Sequence, residues 1–190
     1  MAILIGLTGS MGSGKSTARH MMVQNILETV PNSYKYISFI SFAQPLKDIC
    51  TTYFGLASDD VYTQEGKAKY NEFWGMTNRE ILQRVGTDAL RNNFHPDVWI
   101  KIAELNIRRA QQDKNCTAII IDDTRFNNEA EMIKDMGGYV IRIERELEPE
   151  SSHASEQGID LQYIDSIILN HGSMDDLKHQ VCNVLKTYIK

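Results

Sequence analysis

Gly9, Gly14, Lys15 and Ser16 stand in the order G-x-x-x-x-G-K-S within GLTGSMGSGKST, residues 6–17. That spacing is the phosphate-loop pattern, and its surroundings suit it, with an apolar strand-like run before and a helix-permissive run after. Glycines let the backbone turn its N–H groups inward, the following helix aims its positive N-terminus at the same point, and a lysine adds a mobile cation for the β- and γ-phosphates. Ser16 is left to hold Mg²⁺. The expected phosphate-contacting set is Gly9, Ser10, Met11, Gly12, Ser13, Gly14, Lys15, Ser16 and Thr17. The chemistry is that of a nucleoside triphosphate; a glycine-rich turn with no ligand is the bland alternative.

A second stretch, IIIDDTRFNNEAEMI, covers residues 119–133. Three isoleucines make a buried strand, and a carboxylate at its end would face Mg²⁺ or its water shell beside the loop. Asp122 and Asp123 both fit that role, and capping the next helix is the other use of an aspartate here. Arg125 lies two residues beyond Asp123, and Glu129 four beyond Arg125. One arginine is thus expected near the phosphates, its side chain fixed by a carboxylate through charge-assisted hydrogen bonds. An exposed i,i+4 ion pair is the plain alternative.

In TNREILQRVGTDALR, residues 77–91, Ile81, Leu82, Val85 and Ala89 share one side of a helical wheel. Arg79, Gln83, Thr87 and Arg91 advance in steps of four along another, so two cations, an amide and a hydroxyl share a face. Gly86 costs roughly 1 kcal/mol against Ala in a helix interior, which a close ligand approach would explain. Lys47 and Trp99 would add a phosphate contact and a base-stacking surface; a surface lysine and a core tryptophan are the ordinary readings. At RIERELEPESSHASEQ, residues 142–157, a strand gives way to a polar, acidic, serine-rich run. A mobile lid here would exclude water and bring Arg142 and Arg145 onto the charge that develops during phosphoryl transfer. His153 is assigned no role as a base, because transfer to an ionised phosphate needs none.

The elements that must position these residues alternate between strand and helix. AILIGL reads as a buried strand, about 15–27 as a helix, and YISFIS as a short strand. From Phe42 to about Asp113 there is no strong strand signal, while 44–54, 77–92 and 97–111 carry apolar residues at helical spacing. Strands resume at TAIIIDD, GGYVIRIER and IDSIILN, with a helix over 128–136 between the first two. Leu177, Val181, Val184, Leu185 and Tyr188 form one stripe of a closing helix, read as core packing. Such alternation predicts an α/β fold with a central parallel sheet and ligands beyond the carboxyl ends of its strands.

The chain has 190 residues, which suits one domain with insertions. Hydrophobic residues at 42% and charged ones at 24% are ordinary for a globular protein, and no apolar run approaches the roughly 20 residues of a membrane span. MAILIGL lacks a basic leader, so the expected location is the cytoplasm, away from any membrane. A net charge of −5 argues against a direct nucleic-acid grip. Cys50, Cys116 and Cys182 are in no metal-ligand spacing and are read as reduced, mostly buried thiols.

LIGLTGSMGSGKST, SFAQPLKDI, REILQRVGTDALR followed by DVW, IIIDDTRFNNEA, and HASE with the late ILNHGS together resemble the phage-type deoxynucleoside monophosphate kinases. These are close in fold to dephospho-CoA kinase and the other nucleoside monophosphate kinases. The resemblance covers nearly the whole chain. It implies a three-layer P-loop kinase fold, with a core of residues 1–41 and 114–190, a helical monophosphate-binding insertion at 42–113 and a lid at 145–160. It implies ATP and Mg²⁺, a deoxynucleoside monophosphate acceptor, and room for a homodimer. By position, Lys47, Arg79, Gly86, Thr87, Trp99, Asp123, Arg125 and Glu129 would line the monophosphate pocket, with Gln83 and Arg91 beside them on their helix. Asn170 to Ser173, Asn170 and Gly172 included, would lie near the adenine. Lys15, Arg125, Arg142 and Arg145 would serve the transfer itself. Residues 57–76 match no pattern and lie where the choice of base would be set.

Two other readings compete. A kinase of another small acceptor, such as dephospho-CoA, differs in substrate alone. A P-loop ATPase or non-catalytic nucleotide-binding module would leave Arg79, Arg125, Arg142 and Arg145 without a common purpose. A GTPase is excluded: no D-x-x-G follows the strand and no N-K-x-D occurs to read a guanine.

Overall fold

The structure, a computed structural model, describes residues 2–29, 36–145 and 158–189. Most of the expected lid, with His153, falls outside the described residues. The chain divides into two compact units, Met1–Ser41 with Glu104–Lys190, and Phe42–Ala103. The second of these ends at Ala103, inside a helix, where an insertion is expected to run to 113.

The first unit is built on five strands: β1 (Ile3–Thr8), β2 (Tyr36–Ile40), β5 (Cys116–Ile121), β6 (Tyr139–Glu144) and β7 (Ser166–Leu169). Their order across the sheet is β2-β5-β1-β6-β7, and every pairing is parallel. Strands buried on both faces read as unbroken apolar runs, which is why AILIGL and TAIIID were legible. Alternate residues point to opposite faces. Ile5, Leu7, Ala118, Ile120, Ile141, Ile143 and Ile168 pack on one face against Ala18, Met22 and Ile26 of α1 (Lys15–Thr29) and Leu177, Val181 and Leu185 of α8 (Met174–Tyr188). On the other face Ile133 of α7 (Asn127–Asp135) lies against Gly6 and Gly138. The result is the expected three-layer α/β architecture, and the stripe read as core on the last helix is core.

The second unit holds α2 (Gln44–Tyr53), α3 (Ser58–Tyr62), α4 (Gln64–Ala68), a two-stranded antiparallel hairpin of β3 (Tyr70–Asn71) and β4 (Met76–Thr77), and α5 (Asn78–Gln83). It also holds the start of α6 (Val98–Gln112). Cys50, Leu56, Val61 and Ile81 form its buried centre, with Leu46, Phe54, Met76, Leu82 and Val85 packed around them. The unplaced segment 57–76 is therefore two short helices and the hairpin, with Trp74 donating its indole N–H to the Phe54 carbonyl at 2.9 Å. Strands of two residues leave too little alternation to see in a sequence.

The helix expected over 77–92 changes character midway, running as a π-helix from Arg84 to Asn92. A π-helix bonds i to i+5 rather than i+4, so burial advances in fives, from Ile81 to Gly86. Ala89, expected on the apolar side, is exposed for that reason. Cys50 and Cys116 are buried and Cys182 is half-buried, all three reduced. No helix among the described residues is long and apolar enough to cross a membrane.

Replacing Ile141, fully buried between sheet and helices, by Ala leaves a cavity that neighbours on a sheet cannot fill. Equilibrium urea unfolding of Ile141→Ala is expected to show stability lower by about 2–5 kcal/mol.

Candidate functional site

Because all five strands are parallel, their carboxyl ends lie on one edge, and the segments leaving that edge are those carrying the candidate residues. Gly6 on β1 stands opposite Ile121 on β5, and Thr8 opposite Arg142 on β6. The phosphate loop and the Asp122–Arg125 segment therefore leave the sheet side by side, with Arg142 in register on the other flank of β1.

The loop runs from Gly9 to Gly14 and ends on α1. Gly9 has φ of 145° and Gly14 of 98°, backbone that side-chain-bearing residues rarely adopt. A Cβ on Gly9 would collide with the Ile143 carbonyl oxygen, so the loop lies directly on the end of β6. Lys15 folds back over the loop and donates to the carbonyls of Gly9 at 2.6 Å and Ser10 at 2.7 Å. Burial and then the nearby Arg125 guanidinium pull its ammonium below the ordinary lysine range, while the Asp122 carboxylate pulls the other way. Lys15 thus feels the charges of both Arg125 and Asp122. The hydroxyls of Ser13 and Thr124 are buried without a protein partner.

The two aspartates have separate engagements. Asp122 accepts from Arg19, one helical turn beyond Lys15, at 2.5 Å. Asp123 accepts from Ser41 at the end of β2, at 2.6 Å. Sequence reasoning passed over both partners, although Arg19 stands at i+4 from Lys15 and Ser41 directly follows the strand that pairs with β5. No group of three or more His, Cys, Asp or Glu fit to hold a metal occurs among the described residues. Mg²⁺ beside a triphosphate asks for one or two carboxylates and takes its other ligands from phosphate and water, and Ser16, Asp122 and Asp123 are oxygen donors of the kind such an ion takes.

Glu129 differs from expectation. Its carboxylate accepts the backbone N–H of Arg125 at 2.7 Å and of Phe126 at 3.1 Å, closing the N-terminus of α7 rather than holding the Arg125 guanidinium. A carboxylate facing a helix N-terminus satisfies otherwise orphaned N–H groups, and this one fixes the backbone from which an exposed Arg125 side chain projects. Arg142 also has local work. Its guanidinium donates to the Ile159 carbonyl and lies 3.7 Å from Glu144, which makes it a strut for the chain beyond residue 157. Asn127, at the start of α7, and Asp160 tie that part of the chain to α7 through two reciprocal bonds of 2.8 and 2.9 Å. Arg145 is exposed at the end of β6. Asn170, expected near an adenine, donates to the carbonyl of Ser13 at 2.9 Å. Gly172 precedes Ser173, the N-cap of α8.

On the second unit, Arg79 donates to Gln64 at 2.8 Å and Lys47 sits 4.1 Å from the centre of the Tyr62 ring. Gln83, Thr87 and Arg91 are exposed. Gly86 is buried because Leu46 fills the space a side chain would need, its Cδ2 standing 2.6 Å from a Cβ placed there. Trp99 is 7% exposed and gives its indole N–H to the Gly86 carbonyl at 3.2 Å. Both residues are accounted for by packing, and Trp99 offers no open face for stacking a base.

A parallel sheet between two helical layers, with a glycine-rich loop closing on a helix N-terminus, defines the class of P-loop nucleotide-binding proteins. A model of the deoxynucleotide monophosphate kinase family matches residues 60–181. A protein of Acanthamoeba polyphaga mimivirus that carries the name deoxynucleotide monophosphate kinase is 33% identical over 192 residues, covering 94% of each chain. The deoxynucleoside-5'-monophosphate kinase of Escherichia phage T5 is 25% identical over 96% of each chain. The deoxynucleotide monophosphate kinase of Enterobacteria phage T4 is 30% identical over 109 residues, 57% of this chain and 45% of that one. The chain belongs to the deoxynucleotide monophosphate kinase family.

Burial raises the Glu129 carboxyl to about 7, from 4.5 in an exposed chain, against the lowering effect of its two backbone bonds. The native state therefore holds a proton that the unfolded state has lost between about pH 4.5 and 7, so this group's contribution falls as pH rises through that window. Glu129→Gln keeps the acceptor and removes the titration. Denaturant unfolding at several pH values is expected to show a downward slope, at most about 1.4 kcal/mol per pH unit from one group, that the variant lacks.

Proposed function

We propose that the chain transfers the γ-phosphate of ATP to the 5'-phosphate of a deoxynucleoside monophosphate, giving ADP and the deoxynucleoside diphosphate. An acceptor phosphate oxygen attacks the γ-phosphorus in line, and the bond from that phosphorus to the β–γ bridging oxygen breaks, the electron pair leaving with ADP. The acceptor oxygen is already ionised, so no side chain need remove a proton.

The observation that carries this reading is the phosphate loop itself, with Lys15 folded over the carbonyls of Gly9 and Ser10 and its ammonium feeling the charges of Arg125 and Asp122. In the transfer, Lys15 leaves its carbonyl partners for the β- and γ-phosphate oxygens, while the loop N–H groups from Gly9 to Thr17 hold the triphosphate. Arg125, held by its backbone on Glu129, spans donor and acceptor phosphates. Ser16, with Asp122 or Asp123 acting through the water shell, would hold Mg²⁺, which when bound would supply neutralisation of the charge on the β- and γ-phosphate oxygens. Lys47, Arg79, Gln83, Thr87 and Arg91 on the second unit serve the acceptor, and Arg145 the developing charge. Arg142 acts as a strut, while Gly86 and Trp99 shape the unit that carries the acceptor residues.

Acceptor choice is tested by coupled ADP release with ATP and Mg²⁺ across dGMP, dTMP, dAMP and the matching ribonucleotides, with dephospho-CoA beside them. One or more of the deoxynucleotides is expected to react faster than its ribonucleotide. Activity on dephospho-CoA alone would move the assignment to that acceptor, and ADP release independent of any acceptor would make the protein an ATPase.

Lys15→Met should abolish transfer with the fold intact, since it removes charge stabilisation worth several kcal/mol in the transition state. A rate within tenfold of the parent would separate the loop from catalysis. Arg125→Lys keeps the charge and loses the fork, and steady-state kinetics should show kcat or the acceptor's apparent affinity down by about tenfold or more.

A further inference from the structure

We propose that Asn170 is a positioning residue of the phosphate loop, holding the Ser13–Gly14 peptide from the end of β7 so that an N–H stays turned toward the triphosphate. This rests on the reading of residues 9–17 as the triphosphate cradle, and it gives Asn170 work other than touching an adenine.

Three observations converge on the residue. Its side-chain amide donates to the Ser13 carbonyl at 2.9 Å. Its own backbone N–H donates to the Glu144 carbonyl at 2.7 Å, which fixes the residue to the ends of both β6 and β7. Gly14, at φ of 98°, leaves the space that the Asn170 amide occupies, since a Cβ on Gly14 would collide with the Asn170 side-chain nitrogen.

The consequence follows from peptide geometry. In a trans peptide the C=O and the N–H of the next residue point in opposite directions, and none of the described peptides is cis. A Ser13 carbonyl drawn outward to Asn170 therefore turns the Gly14 N–H inward. With Gly9 seated on the Ile143 carbonyl, the loop is braced at both ends by the β6–β7 side of the sheet. A brace of this kind reduces what phosphate binding would otherwise spend on ordering the loop. Glutamine, one methylene longer, would overreach, and aspartate would set a carboxylate against a carbonyl and near phosphate.

The probes are ATP and inorganic tripolyphosphate, each with Mg²⁺, titrated calorimetrically into the parent protein, Asn170→Ala and Asn170→Asp, with thermal melts alongside. Both probes should weaken together by about tenfold in Asn170→Ala and further in Asn170→Asp, the ratio of the two affinities staying near that of the parent. In steady state KM for ATP should rise with KM for the acceptor unchanged. ATP weakened with tripolyphosphate untouched would overturn the proposal in favour of a nucleoside contact. Unchanged affinities, or a fall only in the fraction of protein that binds, would overturn it in favour of a merely structural role. Asn170→Asp, nearly isosteric, decides the matter should Asn170→Ala not fold. A parent protein that binds neither probe would sink the cradle reading itself, and the proposal with it.

Discussion

Everything at the candidate site depends on the parallel pairing of β1 with β5 and β6. Parallel strands end together, so one edge of the sheet gathers the chain as it leaves β1, β5, β6 and β7. That is why residues far apart in sequence, Gly14, Asp122 and Asn170 among them, belong to one small region. The pairing is secured by strands that bury both faces, and the candidate residues lie toward or beyond their carboxyl ends. Stability and chemistry are therefore separated along each strand, with packing in the middle and polar work at the carboxyl end.

The polar work is heavily cross-braced. Asp122 holds Arg19, Asp123 holds Ser41, and Glu129 holds the backbone at Arg125 and Phe126. Charged residues near a phosphate site serve two purposes at once: they set the local potential, and they stop one another from wandering. Asp122 shows both, since it partners Arg19 and opposes the loss of charge at Lys15. Fixing dipoles and charges before substrate arrives leaves little reorganisation for the moment of transfer.

The sheet and the phosphate loop were legible in the sequence because each rests on a local pattern: unbroken apolar runs for the strands, fixed glycines and a lysine for the loop. What stayed hidden depended on partners supplied by other segments. Nothing in the spacing of Arg125 and Glu129 says that the carboxylate turns to backbone N–H groups instead of the guanidinium. Trp99 and Gly86 looked available for a ligand because their companions, the Gly86 carbonyl and Leu46, are set by tertiary packing. Asn170 was legible as a residue at the right strand end, while its partner on the loop was not.

The π-helix from Arg84 to Asn92 bears on how the second unit can vary. An α-helix turns about 100° per residue, so a helix that accommodates an extra residue in its turn faces a different way afterwards. Deleting a single residue within 84–92 would let the segment relax to α geometry, re-aiming Thr87 and Arg91 while every side chain kept its identity. Chain length is thus a variable of geometry here in its own right: a helix one residue shorter would turn a different set of side chains to the surface of the second unit.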